Sequence, residues 1–198
     1  MRRAILLGAA LALLTARDAR AVDGSAESGA SQPTKNESTR RPFFVQGTLG
    51  SFGLWAWGNP PGVQAYWHPD FEFGYHFSGR HDGLEIGIRQ GFYVGRNAYD
   101  VGETLLRGGY DFAFPFRNGR FELTIAPFGT FGANYLFTNL NAGLHWSVGI
   151  EAKLFFFHEL YLLVRPVELS IGEYVNLGPN APNVYFNMNA GVGAGIAF

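Results

Sequence analysis

The chain has 198 residues, with 16 acidic against 15 Lys and Arg side chains and a formal net charge of −1. That length suits one domain, and the near-neutral balance offers no bulk electrostatic case for nucleic acid. Cysteine is absent, which removes disulfides, thiolate metal sites, cysteine nucleophiles and a lipid-modified N-terminal cysteine.

The first element is a secretory signal, expected over residues 1–21. Arg2 and Arg3 give a positive start, Ala4 to Ala16 an apolar core, and Ala19-Arg20-Ala21 a small-x-small cleavage site before Val22. The apolar run is too short to span a bilayer as a helix. Residues 22–41 carry almost no large apolar side chains. They cannot bury enough surface to offset their ordering entropy and are expected to be a disordered linker on the periplasmic side.

From residue 42 onward the pattern predicts eight strands and no helix. They run Phe43–Trp57, Val63–Phe77 with a bulge at Pro69, Leu84–Gly95, Thr104–Phe114, Arg120–Tyr135 with a bulge at Pro127, Leu140–Leu154, Leu160–Ile171 kinked at Pro166, and Val184–Phe198. Asn59-Pro60-Pro61-Gly62 and Asn118-Gly119 are turn signals between them. A strict period of two gives each strand unlike faces. In the last strand Val184, Phe186, Met188, Ala190, Val192, Ala194, Ile196 and Phe198 oppose Tyr185, Asn187, Asn189 and three glycines. In the sixth, Leu144, Trp146, Val148 and Ile150 oppose His145, Ser147, Gly149 and Glu151. In the third, Leu84, Ile86, Ile88 and Phe92 oppose Glu85, Gly87, Arg89 and Gly91, and Gln90 is an exception on the apolar face.

Charged residues therefore share their face with glycines, of which the chain has 27. The outside of a soluble barrel has no need of repeated glycine. A narrow interior does, because small residues leave room for long charged ones, and an eight-stranded barrel is just wide enough to be filled by side chains. The apolar face needs no second protein layer if lipid covers it. Mean hydropathy is +0.00, as expected of alternating membrane strands. Aromatics gather in two expected girdles. Trp55, Trp57, Trp67, Tyr135 and Phe137 lie toward one end; Phe43, Phe44, Phe77, Phe114, Phe116, Phe155, Phe156, Phe157 and Phe198 lie toward the other.

On strand number, alternation, girdles and the terminal Phe198, residues 43–198 resemble the small eight-stranded outer-membrane barrels of Gram-negative bacteria, such as the transmembrane domain of outer membrane protein A and the OmpX-type barrels. The resemblance implies an all-β, antiparallel, up-and-down transmembrane barrel in the cell outer membrane. Its implied partners are outer-membrane lipid or lipopolysaccharide and the barrel assembly machinery, with Phe198 as assembly signal. No nucleic-acid partner, cofactor or metal is expected, and the chain is expected to be monomeric. No peptidoglycan-binding domain follows the last strand, so that role is not implied.

The expected lumen holds Glu72, Glu85, Asp111, Glu122, Glu151 and Glu168 against Arg89, Arg107, Lys153 and Arg165, with His76 and His145. Charges of both signs in a narrow interior must pair, so the main expectation is an ion network that fills a structural, surface-interacting barrel. One alternative is a narrow pore or small-molecule transporter. The other is a lipid-modifying enzyme. His145 and Ser147 share a face, Glu168 or Glu151 could orient the histidine, and the arrangement is similar to the H-x-S of the outer-membrane lipid A deacylases. That family reaches its pair from the lipid side and follows it with Asn; here the pair points inward and Val148 follows.

Overall fold

The computed structural model describes residues 41–49, 52–57, 62–94, 101–116, 121–137, 142–156, 159–174 and 184–198. The expected signal (1–21), the linker (22–41, Arg41 apart) and the links at 58–61, 95–100, 138–141 and 175–183 lie outside the described residues. The strands are β1 Phe43–Thr48, β2 Phe52–Trp57, β3 Gly62–Trp67, β4 Asp70–His76, β5 Gly83–Tyr93, β6 Val101–Pro115, β7 Phe121–Leu136, β8 Ala142–Phe156, β9 Leu160–Tyr174 and β10 Val184–Ala197.

Every neighbour is antiparallel, and the sheet closes on itself where β1 meets β10. β1 and β2 both pair with β10, and β3 and β4 continue one another in the same way. The ten segments therefore make eight staves of one closed barrel. Closure leaves no sheet edge for lipid to solvate, the condition on strands that span a membrane.

The first two staves are broken, which the alternation alone did not predict. Pro69 has no N–H to give the ladder, so the second stave breaks at His68-Pro69 rather than bulging. Three bonds bridge the gap. Phe92 N–H donates to the Pro69 carbonyl at 3.0 Å, and Trp67 and Val94 exchange bonds at 2.8 Å. Trp67 Nε1–H donates to the Leu49 carbonyl at 2.5 Å across the matching break in the first stave. The expected bulge at Pro127 is absent, since β7 keeps one register with β8 from Phe121 to Tyr135.

Pro166 does mark a bulge. The register of β9 slips by one residue against both β8 and β10 between Arg165 and Glu168. One extra residue reverses parity, which lets Arg165 and Glu168 both face inward although they are three positions apart.

Across the barrel the apolar parity faces out. Phe71, Ile88, Leu106, Val148, Leu162, Phe186 and Val192 are 54–63% exposed. The hairpin turn after β4 uses Gly79 and Gly83 at φ 70° and 91°, the left-handed region that side chains rarely adopt. Phe43 and Phe198 exchange backbone bonds of 3.1 and 2.9 Å and bring the start of the barrel to its end. We call this end, which also carries the Gly79 turn, the terminal end, and the opposite one the far end.

Candidate functional site: a charged lumen between two aromatic layers

Among the described residues, the inward parity of eight staves brings seven carboxylates, four Lys or Arg side chains and three imidazoles into the barrel, all buried, and the turn after β4 adds a fourth buried imidazole, His81. The carboxylates are Asp70, Glu72, Glu85, Glu103, Asp111, Glu151 and Glu168; the cations are Arg89, Arg107, Lys153 and Arg165. Cations being fewer, the imidazoles of His68, His76 and His145 serve as further partners.

Near the terminal end, Lys153 Nζ lies 2.9 Å from Glu85 and 3.1 Å from Asp111. His76 Nε2 lies 2.8 Å from Asp111 and 3.3 Å from Glu85. His76, Glu85 and Asp111 would be close enough to share a metal ion, but the Lys153 ammonium already stands between the two carboxylates. At mid-depth Arg107 meets Glu85 at 2.5 Å, Glu151 at 2.8 Å and Glu72 at 3.0 Å. Arg165 meets Glu151 at 2.6 Å, Asp70 at 2.7 Å and Glu168 at 3.2 Å. Arg89 meets Glu168 at 2.7 Å. Gln46 links the carboxylates by donating to Glu72 and Glu151, and accepts from the Tyr161 hydroxyl at 2.9 Å.

One aromatic ring organises this layer. The guanidinium carbons of Arg107, Arg89 and Arg165 lie 4.3, 5.0 and 5.4 Å from the Phe128 centroid. A ring face attracts cations, and here it also fills the space between three that would otherwise repel.

Toward the far end the charge thins to one acid. Glu103 takes His68 at 3.0 Å and the Tyr93 hydroxyl at 2.8 Å, with His145 Nδ1 at 3.6 Å. Apolar layers close both ends. Tyr66, Tyr93, Val101, Leu136 and Tyr185 pack at the far end; Phe155, Tyr161, Leu163 and Ala197 pack at the terminal end, with His81 stacked on Phe155 at 4.1 Å.

The glycines explain how so much fits. A Cβ on Gly74 would stand 2.2 Å from the Phe44 ring, on Gly172 2.1 Å from Tyr185, on Gly195 2.2 Å from Tyr161 and on Gly149 2.5 Å from Phe128. Gly109 and Gly91 leave the same room for Glu85 and Glu103. Small residues therefore seat lumen aromatics as well as charges.

In fold this chain is one of the small eight-stranded barrels. It is similar to the crystal structure of Neisserial surface protein A, with a TM-score of 0.52 and 12% identity over 79% of this chain and 97% of that one. The N-terminal β-barrel domain of Pseudomonas aeruginosa OprF (TM-score 0.47, 16% identity, 76% and 99% covered) and the attachment invasion locus protein Ail of Yersinia pestis (0.35, 9%, 80% and 99%) also match. No protein-family model matches the chain, and no curated protein matches it in sequence.

Nine of the ten expected lumen charges fall in the buried set. Glu122 does not. It is half-exposed at the start of β7, opposite Phe155 and Pro115. Asp70, Glu103 and His68 belong to the set but were not among the expected network. Asp70 and His68 flank Pro69, and Glu103 falls just before the expected fourth strand at Thr104, whereas β6 begins at Val101. Their parity with Glu72 and Arg107 was the available signal. Two expected girdle residues are corrected, since Phe44 and Phe155 point inward, each 1% exposed. Phe43, Phe77, Phe114, Phe116 and Phe198 do face outward, with Phe198 stacked on Phe43 at 6.1 Å. Phe157 and the side chains of Trp55 and Trp57 lie outside the described residues.

His145 and Ser147 face the lumen, and each is engaged elsewhere. Ser147 Oγ–H donates to Glu168 at 2.5 Å and contacts the Thr130 hydroxyl at 2.7 Å. His145 Nδ1 lies 3.0 Å from the Tyr185 hydroxyl. A nucleophilic serine needs the imidazole as its hydrogen-bond partner; here a carboxylate has that place, so the arrangement orders the lumen.

Proposed function

We propose that the protein is an integral barrel of the bacterial outer membrane with a structural and surface-interaction role, its lumen a solid plug rather than a passage. The observation that carries this reading is the inversion of the two faces. Large apolar side chains cover the outside, while paired charges that are 0–1% exposed fill the inside. A water-soluble protein does not present so continuous an apolar surface, and lipid covers it without cost. The described aromatics that ring both ends suit two headgroup levels.

The partners implied are membrane lipid or lipopolysaccharide around the wall and, during insertion, the barrel assembly machinery. With the termini on the periplasmic side, the far end faces out and its links meet the surroundings. The test is expression of the full chain, outer-membrane isolation and electrophoresis of unboiled and boiled samples. The protein is expected in the outer-membrane fraction as a band that shifts on boiling. A soluble periplasmic protein with no shift would overturn the proposal.

A further inference from the structure

The wall of the barrel differs around its circumference. β5 pairs with β6 from Gly83 to Tyr93, and β7 with β8 from Phe121 to Tyr135, each in one unbroken register. β10 has a different setting. On one side Asn189 pairs with Glu168 and Gly191 with Arg165, so Pro166 and Val167 of β9 together face Ala190. On the other side Ala190 pairs with Phe52 and Gly193 with Thr48, so residues 49–51 of the first stave face only Gly191 and Val192. The second stave meets the same surplus, with His68 and Pro69 against residues 49–51.

β10 is thus held between two staves that each carry one extra residue, both opposite Ala190–Val192. An extra residue interrupts the ladder, and neither Pro166 nor Pro69 has an N–H to give it. β10 adds little of its own, since residues 190–195 read Ala-Gly-Val-Gly-Ala-Gly.

A buried side chain spans this weak row. Arg165 stands at the edge of the β9 bulge. Its Nε–H and Nη2–H donate to Glu151 of β8 at 2.9 and 2.6 Å, which fixes one side of the guanidinium. Its Nη1–H donates to Asp70 Oδ2 of the second stave at 2.7 Å. The Thr48 hydroxyl of the first stave donates to the same oxygen at 2.6 Å. Arg165 therefore reaches from β9 to the second stave, past β10 and the first stave. The inner-face positions of β10 along that reach are Gly191 and Gly193, which put no side chain in the way. Charge-assisted bonds are the strong ones, and these join staves across the row where the ladder is interrupted.

We propose that Thr48, Asp70 and Arg165 form a latch across the inner face of β10, and that the wall opens sideways at β10 when the latch is released. Local opening takes the part of a fold with the least backbone support. The opening is lateral and leaves Arg107 and Phe128 in the bore, so the axis stays blocked. It needs only the closed barrel; that it faces lipid rests on the membrane-barrel reading above.

The test is amide hydrogen exchange of the full-length barrel in lipid nanodiscs, read by mass spectrometry over overlapping peptides. In wild type, the ladder-paired residues of β10 on either side of Ala190–Val192 should exchange several-fold faster than the paired residues of β5 and β6. Asp70→Asn and Thr48→Val should each speed β10 further and leave β5 and β6 unchanged, with the boiling shift intact. The chain has no cysteine, so Gly47→Cys with Ala194→Cys, a facing pair, introduces one disulfide between the first stave and β10. Closing it should slow β10 to the β5 rate and cancel the effect of Asp70→Asn. Equal protection of β10 and β5 in wild type would overturn the proposal. So would latch variants that speed exchange alike throughout the barrel, which would assign these residues to general stability. Failure of the membrane reading shows separately, as absence of the boiling shift in wild type.

Discussion

At the scale of single residues, the lumen separates ion pairs that matter from those that do not. Arg107 meets three buried carboxylates. Replacing it by Met leaves them with one cation fewer in a site water does not reach, and breaking a buried pair costs about 3–5 kcal/mol. Arg41 and Glu159 also pair, at 2.6 Å, but with 20% and 54% of their side chains exposed; a pair of that kind contributes about 0–1 kcal/mol. Urea unfolding in detergent, followed by the boiling shift, should show Arg107→Met strongly destabilised and Arg41→Met close to wild type. Equal effects would mean the lumen charges are better hydrated than their burial indicates. Most of these residues were legible from parity alone, because Glu85, Arg89, Arg107, Glu151 and Lys153 lie inside long regular strands. Phe44 and Phe155 follow the same rule, Phe155 continuing the parity of Glu151 and Lys153 and Phe44 that of Gln46 and Thr48; an aromatic near a strand end resembles a girdle residue only when that parity is set aside.

Elements carry their own test in β9. Its extra residue lies at Pro166, with Arg165 and Pro166 together facing Glu151 of β8 and Pro166 and Val167 together facing Ala190 of β10. Deleting Pro166 would make the alternation regular while keeping Arg165 and Glu168 on the same inner face. Deleting Leu169, within regular ladder, would instead turn Ser170 and Gly172 outward and bring apolar neighbours in. The expected outcome is that the Pro166 deletion still gives a barrel that shifts on boiling and the Leu169 deletion does not. Loss of both would show that the bulge itself, through its added twist, is needed for closure. The kink was readable in the sequence because two charges three residues apart cannot share a face of an unbroken strand. The breaks in the first two staves were not readable, because Leu49 and Trp67 repair them with a side-chain bond between residues 18 apart, and local pattern does not report such a contact.

For the whole molecule, eight staves set the bore and side chains fill it. Arg89, Arg107 and Arg165 crowd one Phe128 ring at mid-depth, and aromatic layers stand above and below. An ion would have to displace a guanidinium that has at least two carboxylate partners, and pass an apolar layer on either side. Wild-type protein in planar bilayers is therefore expected to show no conductance steps at any applied voltage that the bilayer survives. Narrowness and plugging predict different outcomes once the plug is thinned. If side chains are the barrier, Phe128→Ala combined with Arg107→Ser should produce small, brief steps while the boiling shift persists. The interior of eight strands is only wide enough for side chains, so removing two large ones opens a file of water and no more. Steps in wild type would replace the plug with a gated path; silence in the double variant, still folded, would place the barrier in the aromatic layers at the two ends.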